Sequence, residues 1–245
     1  ADERTERIKS GIEHTVSAED ELYSEDKEGG GDQFMAVKPW LGAVKNSVPS
    51  DYKPSKNESD APKAQLRLEF VHGYRCHDSR NNLKYAPSGE IVYHSAGVGI
   101  VYDPKSRTQR FFMEHSDDII CLDLFENLVI TGQIGHKPLI CVWDSKDLSC
   151  KLMLKGVLEK GIVNVCFSHD GKRFAASALD EEHNIVVYDI AKELANKENP
   201  SKSGLVAKGK GAKAEILDMR FLPDNKTLFL ACNKECYLVE IDESK

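Results

Sequence analysis

Leu139-Ile-Cys-Val-Trp-Asp144 is a short run of aliphatic and aromatic side chains that stops on an aspartate, and the chain repeats it. Val98-Gly-Ile-Val-Tyr-Asp103 precedes it, and Asn184-Ile-Val-Val-Tyr-Asp189 and Cys236-Tyr-Leu-Val-Glu-Ile-Asp242 follow. The closing aspartates stand 41, 45 and 53 residues apart. Runs of this composition read as β-strands. Their recurrence at about 40–45 residues with an aromatic-Asp ending marks the blades of a propeller. A single blade cannot bury both of its faces, so blades are stable only when stacked, and such stacks mostly present surfaces to partners.

Working outward, strands are expected to follow one another from Leu66. Leu66, Leu68 and Phe70 alternate with Arg67 and Glu69, the period of a half-buried strand. Glu90–Ser95, Val98–Asp103 and Thr108–Met113 make a first blade, and Ile119–Leu124, Leu128–Gly132, Leu139–Asp144 and Ser149–Leu154 a second. Ile162–Ser168, Arg173–Ala178 and Asn184–Asp189 open a third, with His169-Asp170-Gly171 as a hairpin turn. Ile216–Leu222, Thr227–Cys232 and Cys236–Asp242 open a fourth, where Pro223-Asp224-Asn225 takes the equivalent turn. Four blades do not close a ring, so the chain is expected to be the first part of a larger propeller array.

Three segments interrupt this pattern. Residues 1–32 carry eleven acids and four bases, have few aromatics and end near Gly29-Gly30-Gly31, the composition of a disordered acidic linker. Residues 33–64 begin with an apolar cluster (Phe34, Met35, Val37, Trp40, Leu41, Val44) and end in a polar connector with Pro54 and Pro62. Burying Phe34 or Trp40 is worth roughly 1.5–3 kcal/mol each, so this cluster is expected to dock on a folded surface. Between the third and fourth blades lies an insertion, 191–214, with six lysines and with Leu205–Lys208 as a possible outer strand. Two readings of its lysines stay open: a solvated loop, or electrostatic contact with an acidic partner through Lys202, Lys208, Lys210 and Lys213.

The net charge of −7 belongs to residues 1–32, because the rest of the chain balances. A neutral folded part lacks the positive footprint that nucleic acid requires. No run reaches the roughly 18 apolar residues of a membrane span, and the chain opens on Ala1 and charges rather than on an apolar leader. The seven cysteines follow no disulfide spacing, which fits a reducing compartment such as the cytoplasm.

Chemistry-bearing motifs are sparse. His72, Cys76 and His77 could begin a metal site, but zinc asks for four closed ligands, and Asp78, Arg80, Asn81 and Asn82 favour a hydrogen-bonded turn; no metal or cofactor is expected. Cys232 and Cys236 flank a hairpin among apolar neighbours and read as half-buried thiols. Gly97-Val98-Gly99 opens a strand and not a helix, so it is no phosphate loop. Neither a nucleophile elbow nor a His-Glu-x-x-His zinc motif occurs, and no enzyme is expected.

Two stretches go beyond a generic propeller: Phe34-Met-Ala-Val-Lys-Pro-Trp-Leu-Gly42, and Val71-His-Gly-Tyr-Arg-Cys-His-Asp-Ser-Arg-Asn-Asn82 with Gly89–Tyr93 and Thr108–Ile119 behind it. Together they resemble the HELP motif and first WD40 blades of the echinoderm microtubule-associated protein-like (EMAP-like) family, in its long, multi-unit form. Cys76 stands where the family usually has glycine. The resemblance implies an all-β tandem propeller of four-stranded antiparallel blades whose HELP segment packs at a junction. It implies a non-enzymatic cytoskeletal protein that binds tubulin or the microtubule lattice, with other cytoskeletal or axonemal partners and, in some lineages, a place in the cilium. The alternative is a WD40 scaffold for other proteins without tubulin contact. WD blades often carry a His, Ser/Thr, Trp and Asp network; here His115, Thr131 and Trp143 fit three roles in blade two without a turn aspartate, and blade three offers Ser177, Asp180 and Tyr188 without the histidine.

Overall fold

The computed structural model describes residues 46–53, 64–135, 137–195 and 202–242. The acidic linker expected at 1–32 and the Phe34–Gly42 cluster lie outside the described residues. The chain divides into two units at Arg67/Leu68, and the strands among the described residues belong to the second.

Among the described residues, fifteen strands form four sheets in sequence order. The first contains β1 (Leu83–Tyr85), β2 (Ile91–Ser95), β3 (Val98–Asp103) and β4 (Thr108–Phe112). The second contains β5 (Ile119–Phe125), β6 (Leu128–Gln133), β7 (Leu139–Asp144) and β8 (Cys150–Lys155). The third contains β9 (Ile162–Phe167), β10 (Arg173–Ala178), β11 (Ile185–Asp189) and β12 (Leu205–Gly209); the fourth contains β13 (Ile216–Phe221), β14 (Thr227–Cys232) and β15 (Cys236–Glu240). Every pair is antiparallel and every strand pairs with its sequence neighbour, as in WD40 blades.

Adjacent residues of one strand enter different cores, because strand side chains alternate between faces. On β7, Cys141 and Trp143 join Val101, Phe112 and Val129 between sheets one and two. Ile140 and Val142 join Ile162, Phe174 and Tyr188 between sheets two and three. On β10 and β11, Ala175 and Val187 turn the other way, toward Met219 and Leu230 of sheet four. The middle sheets are therefore buried on both faces, which explains why their strands read as continuous apolar runs. Two stacked ring pairs fill the wedges: Phe112 on Trp143, with centroids 4.7 Å apart, and Phe174 on Tyr188, 5.4 Å apart.

Two expectations need correction. Leu66–Val71 is not a strand; Leu66, Leu68 and Phe70 are exposed, and the first strand of sheet one is the three-residue β1. The alternation there has no sheet to face. Val71 is instead held by a side chain, since its N–H donates to Gln109 Oε1 at 2.7 Å and its carbonyl accepts from Gln109 Nε2 at 2.9 Å. The second correction is a short helix, α1 (Ile190–Ala195), at the start of the insertion. Asp189 caps it by accepting from Lys192 N at 2.9 Å.

Candidate functional site

The insertion brings its lysines to the rim of sheet three. α1 leaves β11, and the chain returns as β12, which pairs along β11 from Ile185↔Gly209 to Tyr188↔Leu205. The return is anchored by Glu193, whose Oε2 accepts from Gly204 N at 2.6 Å, and by Gly204 O, which accepts from Asp189 N at 2.7 Å. Gly204 is required for this approach, since a Cβ there would lie 2.6 Å from Asp189 O and 2.5 Å from Glu193 Cβ.

Lys202, Lys208, Lys210 and Lys213 are all exposed along this outer strand and the turns that flank it. They are not equivalent. Lys210 pairs with Glu182, and Lys208 Nζ donates to Val157 O at 3.3 Å. Lys202 and Lys213 make no ion pair among the described residues. A groove of about 190 Å³ runs beside Lys208 and Lys210 with an apolar floor of Val187, Leu228 and Val239 and with Glu240 and Asp242 on its rim. Groups of both signs thus line it. Lysine on an edge strand also blocks unwanted strand pairing.

A second polar cluster lies where the sheets converge. The leading strand of each of the other three sheets contributes one group to the buried Asp123 on β5. Lys84 Nζ of β1 stands 3.3 Å from Oδ1, and Arg220 Nη1 of β13 donates to Oδ1 at 3.1 Å. Phe167 N of β9 donates to Oδ2 at 3.0 Å. Arg220 is held above the ordinary guanidinium range: burial opposes this, but the charges of Asp123 and Asp218 outweigh it. Beside the node, Asn81 donates to Asp218 at 2.8 Å, joining two residues far apart in the chain. The cavity there, about 80 Å³, is well below the ~300–1,000 Å³ of a small-molecule site.

The polar network of blade two forms around the expected residues. Trp143 Nε1 donates to Thr131 Oγ1 at 3.2 Å, and Thr131 Oγ1 lies 2.7 Å from His115 Nε2. His115 Nδ1 lies 2.8 Å from Gln133 Oε1, and Gln133 Nε2 donates to Ser116 Oγ at 3.1 Å. One direction of donation runs through the chain if His115 carries its proton on Nδ1 and accepts from Thr131. Gln133 takes the place that the sequence leaves without an aspartate. In sheet three, Asp180 instead clasps Asn184, and Ser177 accepts from Asn164, which also donates to Ile216 O of the next sheet at 2.9 Å. Gln133, Asn164 and Asp123 escape sequence reasoning because a polar residue on an apolar strand looks the same whether it faces a neighbour or solvent.

The segment from Tyr74 to Asn82 folds on itself. Arg75 forms a bidentate pair with Asp78 and a third bond, at 2.6 Å, to Asp118. Tyr74 donates to Asn82, and Asn82 donates to Arg75 O. Cys76 and His77 point outward, and no group of three or more potential ligands forms among the described residues. Among those residues, no helix is long and apolar enough to cross a membrane. Gly99 has a packing role: a Cβ there would meet Trp143 Cζ2 at 2.9 Å.

Comparison with known proteins agrees with this architecture. The family model for the HELP motif matches residues 61–100. The chain is 34% identical over 194 residues to the ciliary WD repeat-containing protein ctxp80 of Euplotoides octocarinatus, covering 71% of this chain and 26% of that protein. It is 33% identical over 224 residues to echinoderm microtubule-associated protein-like 2 of Mus musculus, covering 85% and 32%. It is 30% identical over 215 residues to echinoderm microtubule-associated protein-like 4 of Xenopus tropicalis, covering 82% and 22%. The chain therefore spans between a fifth and a third of these relatives' lengths.

Proposed function

Because the chain belongs to the echinoderm microtubule-associated protein-like family, we propose that it is a non-catalytic propeller segment that binds the microtubule lattice through tubulin. The observation that carries this reading is the agreement of the likeness to microtubule-associated relatives, over most of the chain, with a stack of WD40-like sheets. In it residues 1–32 are an acidic linker, 33–64 a HELP-type segment and connector, and 65–245 the first blades, with the lysine-rich insertion at 191–214. The contact surface is the outer strand of sheet three, through Lys202, Lys208, Lys210 and Lys213. Two supports are the exposure of all four and the absence of an ion pair for Lys202 and Lys213 among the described residues. The protein then works on the cytoskeleton, alongside other cytoskeletal or axonemal proteins, and the ctxp80 name points to the cilium.

Microtubule co-sedimentation of the whole protein tests the reading. The protein is expected in the pellet at low salt and increasingly in the supernatant as salt screens the contact. Absence from the pellet at low salt removes tubulin binding and leaves the scaffold reading. Reversal of Lys202 and Lys213 to glutamate is expected to weaken pelleting and flatten its salt dependence. Unchanged binding would move the contact away from the insertion.

A further inference from the structure

One bond between an aspartate and a lysine main chain recurs five times at one end of the sheets. In Asp103-Pro-Lys105, Asp144-Ser-Lys146, Asp170-Gly-Lys172 and Asp224-Asn-Lys226, the aspartate Oδ1 accepts from the N–H of the lysine two residues on, at 2.8, 2.8, 3.1 and 2.9 Å. In Asp189-Ile-Ala-Lys192 the lysine is three residues on, and the distance is 2.9 Å. When antiparallel strands pair in chain order, the first-to-second and third-to-fourth turns lie at the same end. Lys172 and Lys226 stand in first-to-second turns, of sheets three and four; Lys105 and Lys146 stand in third-to-fourth turns, of sheets one and two. Lys192 follows the third strand of sheet three. Bonds between these segments agree: Arg110 of β4 donates to Lys146 O, Ile190 N to Lys172 O at 2.9 Å, and Asp170 N to Asn225 Oδ1 at 3.3 Å.

The repeated bond has two consequences. It fixes the main chain at each lysine, as aspartate side chains do in turns, so the five positions are set before a partner arrives. It also engages each carboxylate with the main chain, while all five lysines are exposed. Lys105, Lys146, Lys192 and Lys226 make no ion pair among the described residues, and Lys172 Nζ has only Asp170 Oδ2, at 3.8 Å. The charge is therefore positive at the tips but close to balanced around each turn. A nucleic acid or an anionic bilayer rewards a dense positive field, which this end lacks. Separate carboxylates, each meeting one ammonium, suit it better.

We propose that this end of the stack is a docking surface for an extended acidic peptide segment of a partner protein, held by Lys105, Lys146, Lys172, Lys192 and Lys226. Packed sheets stand about 10 Å apart, and an extended chain covers about 10 Å in three residues. An acidic run of about ten residues thus spans the roughly 30 Å across four sheets, with a carboxylate available at each crossing. The surface is separate from the outer-strand contact through Lys202, Lys208, Lys210 and Lys213, and it does not depend on tubulin binding.

The test is fluorescence anisotropy of a labelled oligoglutamate peptide, about ten residues long, with the intact protein. Binding is expected at low salt and should weaken as salt rises. The combined variant Lys105→Gln, Lys146→Gln, Lys226→Gln should bind about tenfold more weakly, as the loss of three exposed charge pairs implies. Lys208→Gln with Lys213→Gln, on the outer strand, should leave affinity within about twofold. Carbodiimide coupling of the bound peptide to the unmodified protein maps the contact without any substitution. Cross-links are expected on the five turn lysines and not on Lys160 or Lys234, which are exposed at the opposite end. The proposal is overturned if the peptide does not bind at low salt, if the triple variant binds as tightly as the unmodified protein, or if coupling favours Lys160 and Lys234. It is also overturned if a single-stranded oligonucleotide of equal charge, or phosphatidylserine vesicles, bind more tightly than the peptide.

Discussion

The buried imidazole of His94 and the half-buried one of His115 are both pushed down to about 4, in each case chiefly by loss of solvation. Both are neutral in the folded protein at pH 7. His94 Nε2 lies 3.3 Å from Ser79 Oγ, and Ser79 donates to Ile120 O at 2.6 Å. Unfolded, each would titrate near 6.5. As pH falls, the unfolded state takes up protons first, so stability is full above about 6.5 and drains away until about 4, by at most about 3 kcal/mol per histidine. Aspartates held below their usual range, such as Asp170 beside Ser168 and Asp224 beside Thr227, act only at lower pH. His115→Gln removes one titration along with its hydrogen bonds. Its stability deficit relative to wild type, measured by urea unfolding, should shrink as pH drops from 7 to 4; a constant deficit would show that His115 does not drive acid sensitivity. Gly99 offers a second test. Gly99→Ala pushes a methyl into Trp143, which stacks on Phe112 and donates its Nε1–H to Thr131, and should cost about 1–3 kcal/mol while shifting the indole fluorescence. An unshifted spectrum at full stability would mean that Trp143 is not confined from that side.

The hairpins leading into β10 and β14 are the same element built twice. Gly171 has φ of 67° and donates its N–H to Ser168 O at 3.0 Å; Asn225 has φ of 56° and donates to Leu222 O at 3.0 Å. Both sit in the left-handed region, which glycine enters freely, asparagine tolerates, and β-branched residues resist at roughly 1–2 kcal/mol. Asn225→Gly should therefore leave thermal stability within about 0.5 kcal/mol of wild type, and Asn225→Val should lower it by 1–2 kcal/mol. Equal losses from both would place the value of Asn225 in its side-chain contact to Asp170 N instead. This equivalence is legible in the sequence, because Val165–Gly171 and Met219–Asn225 align residue by residue. So are β3, β7 and β10, long apolar runs bounded by turn residues. β1 is not, because three residues carry no period and a better-patterned run at Leu66–Val71 lies upstream. Helix α1 is hidden for a similar reason: six residues that directly follow a strand-closing aspartate show no helical repeat.

At the scale of the whole described stack, pairwise packing between neighbouring sheets does not by itself join the first sheet to the fourth. Asp123 does so, because Lys84, Phe167 N and Arg220 reach it from three other leading strands. Removing one member of such a cluster leaves the others' charges poorly compensated. Lys84 and Arg220 keep some solvent, so Asp123→Ala should cost about 2–4 kcal/mol, below the full penalty of a sealed pair. Asp123→Asn retains an oxygen for Phe167 N and should cost less. A double-mutant cycle between Asp123→Asn and Arg220→Ala separates a shared node from two independent sites. Coupling of about 0.5–3 kcal/mol is expected, with faster amide exchange in both β9 and β13. Additivity within about 0.3 kcal/mol, or exchange that rises in β5 alone, would show that the leading strands are held by their apolar faces and that the carboxylate does not couple them.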